Sequence, residues 1–364
     1  MNIFELKKNS LTTGRAATAI SIILSSNGIR GKKVIVPANL CYAAIYPVIY
    51  TGNTPLFCDV DPLTGNITDK IFEKAVSEAP EGMAAAAVIP HMYGKCIPRD
   101  VISKIRNICD RENILMIEDC ASALGASNGD YTAGSSGDYS VFSFGYSKTV
   151  DIGKGGLILT DRDINDLKEE YLSLPQQSEE DRKNEAFFSK LYRLIRNNPD
   201  QTLDSNIWAG IEGKVRTVFV SRSEDKDLEE KIYKACKDPD DLITRRREEA
   251  KLYQKLIRSD GDITHYVYDE GDVPWRYSIF TSPGQRRGII DHLLSRNIPV
   301  SDWYPCVTPI FGIKGTDPNG DPLFPGVSYM EERILNFPLP AGEEEIRRIA
   351  EALDLYRRDD RNNG

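Results

Sequence analysis

Two charged side chains of this sequence stand where strands are predicted to end. Asp119 closes an apolar stretch, and Lys148 lies in a polar turn, five residues after Ser143. A lysine whose pKa is lowered by its surroundings can attack an aldehyde and later carry a proton. A carboxylate can hold the nitrogen of a pyridine ring protonated, so that the ring accepts electrons from a carbanion. These two residue types therefore fit chemistry on an aldehyde and an amine.

Each of these residues also has a purely structural interpretation. Asp119 could cap a helix that follows the strand. Lys148 could be a solvated surface lysine, and the glycines at 153, 155 and 156 could simply permit positive φ angles in a turn. The order and spacing of the residues must therefore decide between the two interpretations.

The elements around these residues alternate between strands and helices in the first half of the chain. This alternation is typical of parallel strands joined by crossover helices. The predicted strands are 33–36, 55–60, 84–90, 114–118, 139–144 and 156–160, and the predicted helices are 15–26, 68–79 and 99–111. Ligands bind at the carboxyl ends of the strands in such sheets. We therefore expect Asp119, Ser143 and Lys148 to meet at one site.

The second half of the chain is organised differently. Residues 163–240 are rich in charged, helix-favouring side chains, which predicts a helical insertion or bridge. Strand signals return at 263–268 and 275–280, with helices at 287–296 and 343–355. We expect a large domain over residues 1–240 and a small C-terminal α+β domain over residues 241–364.

The composition excludes several classes of function. A net charge of −9 and a pI of 5.1 oppose broad attraction to nucleic acid or to an anionic membrane, although they allow one local basic pocket. No apolar run approaches the roughly 20 residues of a membrane-spanning helix, so a cytoplasmic location is expected. The seven cysteines include no Cys-x-x-Cys pair, and the three histidines lie far apart. We therefore expect reduced thiols and no metal site.

Several short motifs occur in a fixed order along the chain. They are Thr13-Gly14-Arg15-Ala16-Ala17, Val36-Pro37-Ala38, Pro90-His91-Met92-Tyr93-Gly94, Glu118-Asp119, Ser143-Phe144 with Lys148, and Gly153-Lys154-Gly155-Gly156. Together they resemble the DegT/DnrJ/EryC1/StrS family of PLP-dependent (sugar) aminotransferases, over about residues 14–160 and more weakly at 242–247, 303–304 and 336–340. The resemblance implies an α/β, fold-type I PLP-dependent transferase with a mixed, mostly parallel sheet flanked by helices. It also implies pyridoxal 5′-phosphate (PLP) as the cofactor.

The resemblance assigns a role to each matching residue. Lys148 would form the Schiff base with the cofactor and carry protons, and Asp119 would pair with the pyridinium nitrogen. Ser143 and the backbone amides of Arg15 and Ala16, next to Gly14, would bind the cofactor phosphate. The amides have an independent physical reason, because the start of a helix presents free N–H groups to an anion. Alternatively, the Arg15 side chain could cover apolar surface.

Three positions depart from the family pattern. Ser122 stands where relatives carry glutamine, and its shorter side chain could still reach the phenolic oxygen of the cofactor. Cys41 matches the position of an aromatic residue that stacks on the cofactor ring, and either Cys41 or the adjacent Tyr42 could contact that ring. A segment that in relatives reaches into the neighbouring subunit is not recognisable. Residues 206–222 lie in its place, with possible substitutes at Trp208, Lys214, Arg216 and Arg222.

The sequence therefore predicts an aminotransferase that moves an amino group from an amino acid, glutamate in the first instance, to a keto group. The acceptor would be a nucleotide-sugar or a related small ketone of polysaccharide or secondary-metabolite biosynthesis. A homodimer with shared sites is expected, and candidate substrate contacts are Tyr93, Tyr146, Trp303 and Tyr304. The alternatives are another PLP-dependent reaction on a non-sugar substrate and a non-catalytic PLP-binding protein. Lys148 in place of histidine argues against a sugar dehydratase.

Overall fold

The computed structural model describes residues 2–197 and 213–363 of the chain. The strands of its first half are β1 (Asn9–Thr13), β2 (Lys33–Pro37), β3 (Thr54–Cys58), β4 (Ala84–Pro90), β5 (Leu115–Asp119), β6 (Ser127–Asn128), β7 (Tyr131–Thr132), β8 (Tyr139–Ser143) and β9 (Gly156–Thr160). Seven of them form one sheet in the order β1-β9-β8-β5-β4-β2-β3, while β6 and β7 pair separately. Within the seven-stranded sheet, β9 is antiparallel to both of its neighbours, and the other pairings are parallel.

Helices cover both faces of this sheet. They are α1 (Ala16–Ser26), α2 (Tyr42–Tyr50), α3 (Asp69–Glu78), α4 (Arg99–Glu112), α5 (Asn165–Ser173), α6 (Glu179–Asn197) and α7 (Leu228–Cys236). One apolar core joins the sheet to α3, α4 and α7, and a second joins the opposite face to α1, α2, α6 and the helical segment 213–219. Burial of both faces explains why the central strands are continuous apolar runs.

A smaller antiparallel sheet follows. Its strands are β10 (Ile263–His265), β11 (Tyr277–Thr281) and β12 (Ile334–Phe337), with β11 in the middle. The remaining helices are α8 (Asp240–Leu256), α9 (Arg286–Ser295), α10 (Pro325–Arg333) and α11 (Glu343–Asn363). A third apolar core joins this sheet to α8, α9 and α11. The division into domains at residue 240 stays a prediction. No helix within residues 2–197 and 213–363 is long and apolar enough to cross a bilayer.

The predicted elements and the structure differ in two places that matter for the site. Strand β1, with the polar sequence NSLTT, has little strand signal and forms by pairing with β9, about 150 residues later. Helix α2 begins at Tyr42, in a segment that could also have been extended. Both elements depend on partners distant in the chain, which local patterns do not reveal.

Candidate active site

A cavity of about 500 Å³ lies at the carboxyl ends of strands β5 and β8. Parallel strands present their carboxyl ends at the same edge of a sheet, and this is where open α/β sheets bind ligands. The lining includes seven residues predicted from the sequence: Arg15, Ala16, Cys41, Asp119, Ser143, Tyr146 and Lys148. The fold therefore brings the central predicted residues together.

Lys148 lies in the turn between β8 and β9 and lines the cavity. Its Nζ donates a hydrogen bond to Ser122 Oγ at 3.2 Å. Desolvation by the surrounding protein lowers the pKa of the Lys148 amine, while the charges of Cys41 and Asp119 act in the opposite direction. Lys148 is therefore not a solvated surface lysine. Its amine loses its proton more readily than that of a lysine in water, which yields the uncharged, nucleophilic form.

Asp119 is the last residue of β5 and is buried. Its Oδ1 accepts a hydrogen bond from the amide of Ala121 at 2.9 Å, within a turn rather than at the start of a helix. The helix-capping interpretation is therefore wrong. Burial raises the pKa of Asp119, and the hydrogen bond from Ala121 and the charge of Lys148 oppose the rise.

The start of α1 and the end of β8 also line the cavity. Arg15 occupies the N-cap position, and its side chain does not cap the helix. It forms instead a two-pronged ion pair with Glu185 of α6, at 2.8 and 2.6 Å. Ser143 also lines the cavity. The amide of Gly155, another lining residue, donates to the carbonyl of Gly14, which does not line the cavity. The Arg15 side chain therefore makes no hydrogen bond to the first backbone amides of α1.

Cys41 and Tyr42 point in different directions because α2 begins between them. Cys41 is the N-cap residue of α2 and lines the cavity. The ring of Tyr42 packs against Phe188, Tyr192 and Phe219, with centroids 4.7 to 5.9 Å apart. Of the two candidates left open by the sequence, the structure brings Cys41 to the cavity. Burial raises the pKa of its thiol.

The four predicted substrate contacts are scattered around the site. Tyr146 lines the cavity with 82% of its surface exposed. Tyr304 is buried, and its ring stacks on that of Trp275. Tyr93 accepts a hydrogen bond from the amide of Tyr304 at 3.1 Å, and Trp303 stacks on a tyrosine of α6. Tyr93, Trp303 and Tyr304 are not in the cavity lining.

The region predicted to replace the neighbouring-subunit segment lies partly outside the described residues, Trp208 included. Of the other suggested substitutes, the guanidinium of Arg216 lies over the Tyr50 ring, and Arg222 donates to the carbonyl of Leu174 at 2.8 Å. Neither these two nor Lys214 is in the cavity lining. The wall contains instead residues in and around α6, namely Gln177, Arg182, Glu185 and Glu224.

Two arginines and a tryptophan near Lys148 were not identified from the sequence. Arg246 of α8 donates to the backbone carbonyl of Lys148 at 2.9 Å. Arg276 lies over the ring of Trp275, with its guanidinium carbon 4.9 Å from the centroid, and the Lys148 amine lies 5.8 Å from the same centroid. The Arg-rich stretch 244–247 was part of the resemblance, but no local pattern indicates which arginine turns towards Lys148.

Comparison with known proteins agrees with this geometry. A sequence model described as the DegT/DnrJ/EryC1/StrS aminotransferase family matches residues 3–198. A GDP-perosamine synthase of Vibrio cholerae is 28% identical over 43% of this chain and 41% of its own length, and one of Escherichia coli O157:H7 is 27% identical over 92% of this chain and 82% of its own. The matched part thus spans about two fifths of the Vibrio protein.

Solved structures share the fold. The aminotransferase TlmJ from Streptoalloteichus hindustanus superimposes with a TM-score of 0.70 at 18% identity, over 95% of this chain and 85% of TlmJ. The predicted fold class is therefore confirmed. Because the family model matches more than half of the chain, from the start of the large sheet through α6, the protein belongs to the DegT/DnrJ/EryC1/StrS aminotransferase family, as the order of its motifs predicted.

Proposed function

We propose that this protein is a PLP-dependent aminotransferase that moves an amino group from glutamate to the keto group of a nucleotide-linked sugar or a related ketone. The biosynthesis of a cell-surface polysaccharide or a secondary metabolite is the corresponding setting. The observation that carries the proposal is the cavity in which the desolvated amine of Lys148 meets Asp119 and the start of α1. The two similar proteins named GDP-perosamine synthase support a sugar acceptor.

The residues of the cavity fit three functional groups of PLP, namely the aldehyde, the ring nitrogen and the phosphate. Lys148 would hold the aldehyde carbon, and Asp119 would face the ring nitrogen. The amides of Arg15 and Ala16 and the hydroxyl of Ser143 would bind the phosphate, and the uncapped start of α1 supplies the donors that this group requires. When bound, the cofactor supplies an electron sink for the electrons left at the α-carbon of the amino donor.

The chain's own contribution is to hold and move protons. Lys148 has a lowered pKa, so its amine is available uncharged to take a proton and to return it. The Asp119 carboxyl group would face the ring nitrogen, and the hydrogen bond from the amide of Ala121 fixes its orientation. The Cys41 side chain offers a small apolar surface where relatives place an aromatic ring.

The assembly and location belong to the same proposal. A cytoplasmic homodimer with shared sites follows from the family resemblance. The cavity lining includes the charged residues Arg182, Glu185 and Glu224. We therefore assign these residues to acceptor recognition.

The test is covalent trapping of the cofactor on Lys148. Purified protein loaded with PLP is reduced with borohydride and digested, and the peptides are weighed. We expect a pyridoxyl adduct on the peptide that contains Lys148, and no adduct at any lysine in the Lys148→Ala variant. The matched control is Lys154→Ala, which removes the other lysine of the cavity lining and keeps the adduct on Lys148.

The same preparation distinguishes an enzyme from a non-catalytic binding protein. Addition of glutamate to the loaded protein is expected to abolish the visible absorbance of the bound cofactor. An adduct that persists in Lys148→Ala contradicts the assignment of the lysine, and a visible band that no amino donor changes contradicts the transferase.

A further inference from the structure

Two cations lie beside the same buried indole ring at the edge of the candidate active site. The guanidinium carbon of Arg276, the residue just before β11, is 4.9 Å from the centroid of the Trp275 ring. The amine of Lys148 is 5.8 Å from the same centroid. Trp275 is 5% exposed, so packing fixes the position of its ring. The small sheet therefore brings a guanidinium group close to the proposed Schiff-base lysine.

Arg276 has no carboxylate partner, and this distinguishes it from the cations of the cavity lining. Its Nη2 donates to the hydroxyl of Ser147 at 3.2 Å, and its buried Nε has no hydrogen-bond partner within residues 2–197 and 213–363. No Asp or Glu in those ranges forms an ion pair with it. The cations of the lining other than Lys148 are each paired, namely Arg15 with Glu185, Lys154 with Asp225 and Arg182 with Glu224.

A guanidinium group with one neutral partner is suited to bind an anion. Partial removal of a cation from water without an opposite charge costs free energy, and an incoming carboxylate would offset that cost. Arg276 is only partly buried, and the hydroxyl of Ser147 uses one of its five N–H donors. Arg276 is not in the cavity lining, so the anion would extend from Lys148 towards the small sheet.

We propose that Arg276 binds the α-carboxylate of the amino donor while the donor amine takes the place of the Lys148 amine. The inference rests on the proposed function of Lys148, and it names the group by which the donor is recognised. The α-carboxylate is attached to the carbon that carries the reacting amine, so it must lie close to that amine. The second carboxylate of glutamate is two carbons farther away. A cation beside Lys148 therefore matches the nearer carboxylate.

The backbone next to Arg276 is held in place by the large domain and by α8. The amide of Trp275 donates to the carbonyl of Tyr93 at 3.0 Å, and its carbonyl accepts from Arg246 at 2.8 Å. A Cβ atom on Gly94 would lie 2.7 Å from the same amide, so this close approach requires glycine. A guanidinium on a fixed backbone loses less conformational freedom when it binds a ligand.

Arg276 could alternatively serve only to support the turn that carries Lys148. Ser147 has a φ angle of 62°, in the left-handed region that residues other than glycine rarely adopt, and the bond from Arg276 reaches this residue. A purely structural role predicts that loss of either partner of this bond changes the site in the same way. Binding of a carboxylate predicts that only loss of the guanidinium weakens donor binding.

The experiment compares two amines that differ only in the α-carboxylate. γ-Aminobutyrate is glutamate with the α-carboxylate replaced by hydrogen, and it keeps the other carboxylate. Each amine is added to the PLP-loaded protein, the mixture is reduced with borohydride, and the fraction of the Lys148 peptide that carries the pyridoxyl adduct is measured. An amine that displaces Lys148 lowers this fraction. The result is the amine concentration that halves the adduct, and the measurement requires no turnover.

Arg276→Met keeps an unbranched apolar side chain and removes the guanidinium. We expect it to raise the halving concentration of glutamate by about tenfold to a hundredfold, the effect of one lost charge-assisted contact. The halving concentration of γ-aminobutyrate should stay unchanged. L-Glutamine, which has the α-carboxylate but no second carboxylate, should respond as glutamate does. Comparison of each variant with wild type cancels the different basicities of the amines.

Two further variants separate donor binding from support of the turn. Ser147→Ala is the matched control, because it removes the hydroxyl that Arg276 contacts and keeps the guanidinium. We expect it to leave all three halving concentrations unchanged. Arg276→Lys keeps a positive charge but not the planar fork of donors, so glutamate and glutamine should show a smaller rise than in Arg276→Met.

An unchanged halving concentration of glutamate in Arg276→Met overturns the proposal. An equal rise for glutamate and γ-aminobutyrate also overturns it, and so does the same rise in Ser147→Ala. If Arg276→Met does not fold, Arg276→Lys decides, and wild-type values in that variant overturn the proposal. Wild-type protein that carries no adduct on Lys148 before any amine is added contradicts the proposed function instead. The two failures are therefore distinguishable.

Discussion

Adjacent acidic residues at the end of β5 have different tasks, because successive side chains of a strand point to opposite faces. Asp119 faces the cavity, whereas Glu118 is buried on the other side of the sheet, in the network of His91 and Tyr131. His91, Glu118 and Cys120 lie close enough together to hold a metal ion. The Glu118 oxygens are nevertheless taken by donors, namely His91, Tyr131 and the amides of Gly134, Ser136 and Gly137. We therefore assign Glu118 to holding the loop that follows Asp119.

Replacement of Glu118 by glutamine should destabilise the protein. Burial alone would raise the pKa of Glu118, but the bonds from His91 and Tyr131 reverse this, so its pKa in the folded protein lies below the ordinary value. A depressed pKa adds stability above the unfolded-state pKa, and this stability is lost as the pH falls through the folded value. We expect Glu118→Gln to lower the free energy of unfolding by about 2 to 4 kcal/mol at pH 7.

Urea denaturation at several pH values checks this expectation. The difference between wild type and Glu118→Gln should shrink as the pH falls below about 4, the ordinary range of a glutamate. The exposed Glu81→Gln is the control and should change nothing. A difference that is constant from pH 7 to pH 3 would show that the charge of Glu118 is not its source.

At the scale of elements, the proposed phosphate site depends on how closely β9 approaches the start of α1. The first residue of β9 is Gly156, and a Cβ atom there would lie 2.5 Å from the amide nitrogen of Ala16 and from the carbonyl carbon of Arg15. Backbone atoms cannot yield as a flexible side chain does. Gly156 is therefore required for the contact with α1, whereas Gly153 and Gly155 before it supply the positive φ angles of the turn.

Gly156→Ala should accordingly push the start of α1 away from Ser143. We expect a loss of about 1 to 3 kcal/mol of unfolding free energy, as for other overpacked sites, together with weaker binding of PLP. Thermal unfolding and a PLP titration measure the two effects. Gly261→Ala is the matched control, since a Cβ atom there meets nothing within 4 Å. If PLP binds to Gly156→Ala as to wild type, the phosphate does not lie at this helix start.

The sequence predicts those parts of the site that depend on local patterns. It does not predict contacts between segments that are distant in the chain. The turn that carries Lys148 and the end of β5 at Asp119 follow from apolar runs and glycines, and the structure places both at one cavity. The start of α2, which turns Tyr42 away, is set by packing against α6. Arg246 reaches the Lys148 turn from about 100 residues further along the chain. The hydrophobic periodicity of the sequence does not predict such a contact.

At the scale of the whole molecule, Arg246 connects the two sheets. It is buried, and its guanidinium donates to the carbonyl of Lys148 at 2.9 Å and to that of Trp275, just before β11, at 2.8 Å. Desolvation lowers the pKa of Arg246 to about 10, so the side chain stays charged at neutral pH. The guanidinium of Arg246 thus fixes the turn that carries Lys148, in the large sheet, relative to the segment just before β11, in the small sheet.

Arg246→Ala should therefore affect stability and the lysine turn together. The variant removes the donor to the carbonyl groups of Lys148, Pro274 and Trp275, and we expect it to lower the unfolding free energy by about 3 kcal/mol. We also expect slower trapping of PLP on Lys148, because the turn is no longer held from α8. Urea denaturation and the rate of borohydride trapping measure the two effects. Arg245→Ala removes the neighbouring, exposed arginine, which pairs with Glu249, and should have little effect on either. A stability loss with an unchanged trapping rate would show that Arg246 supports only the packing of α8. The position of Lys148 would then be set by its own turn.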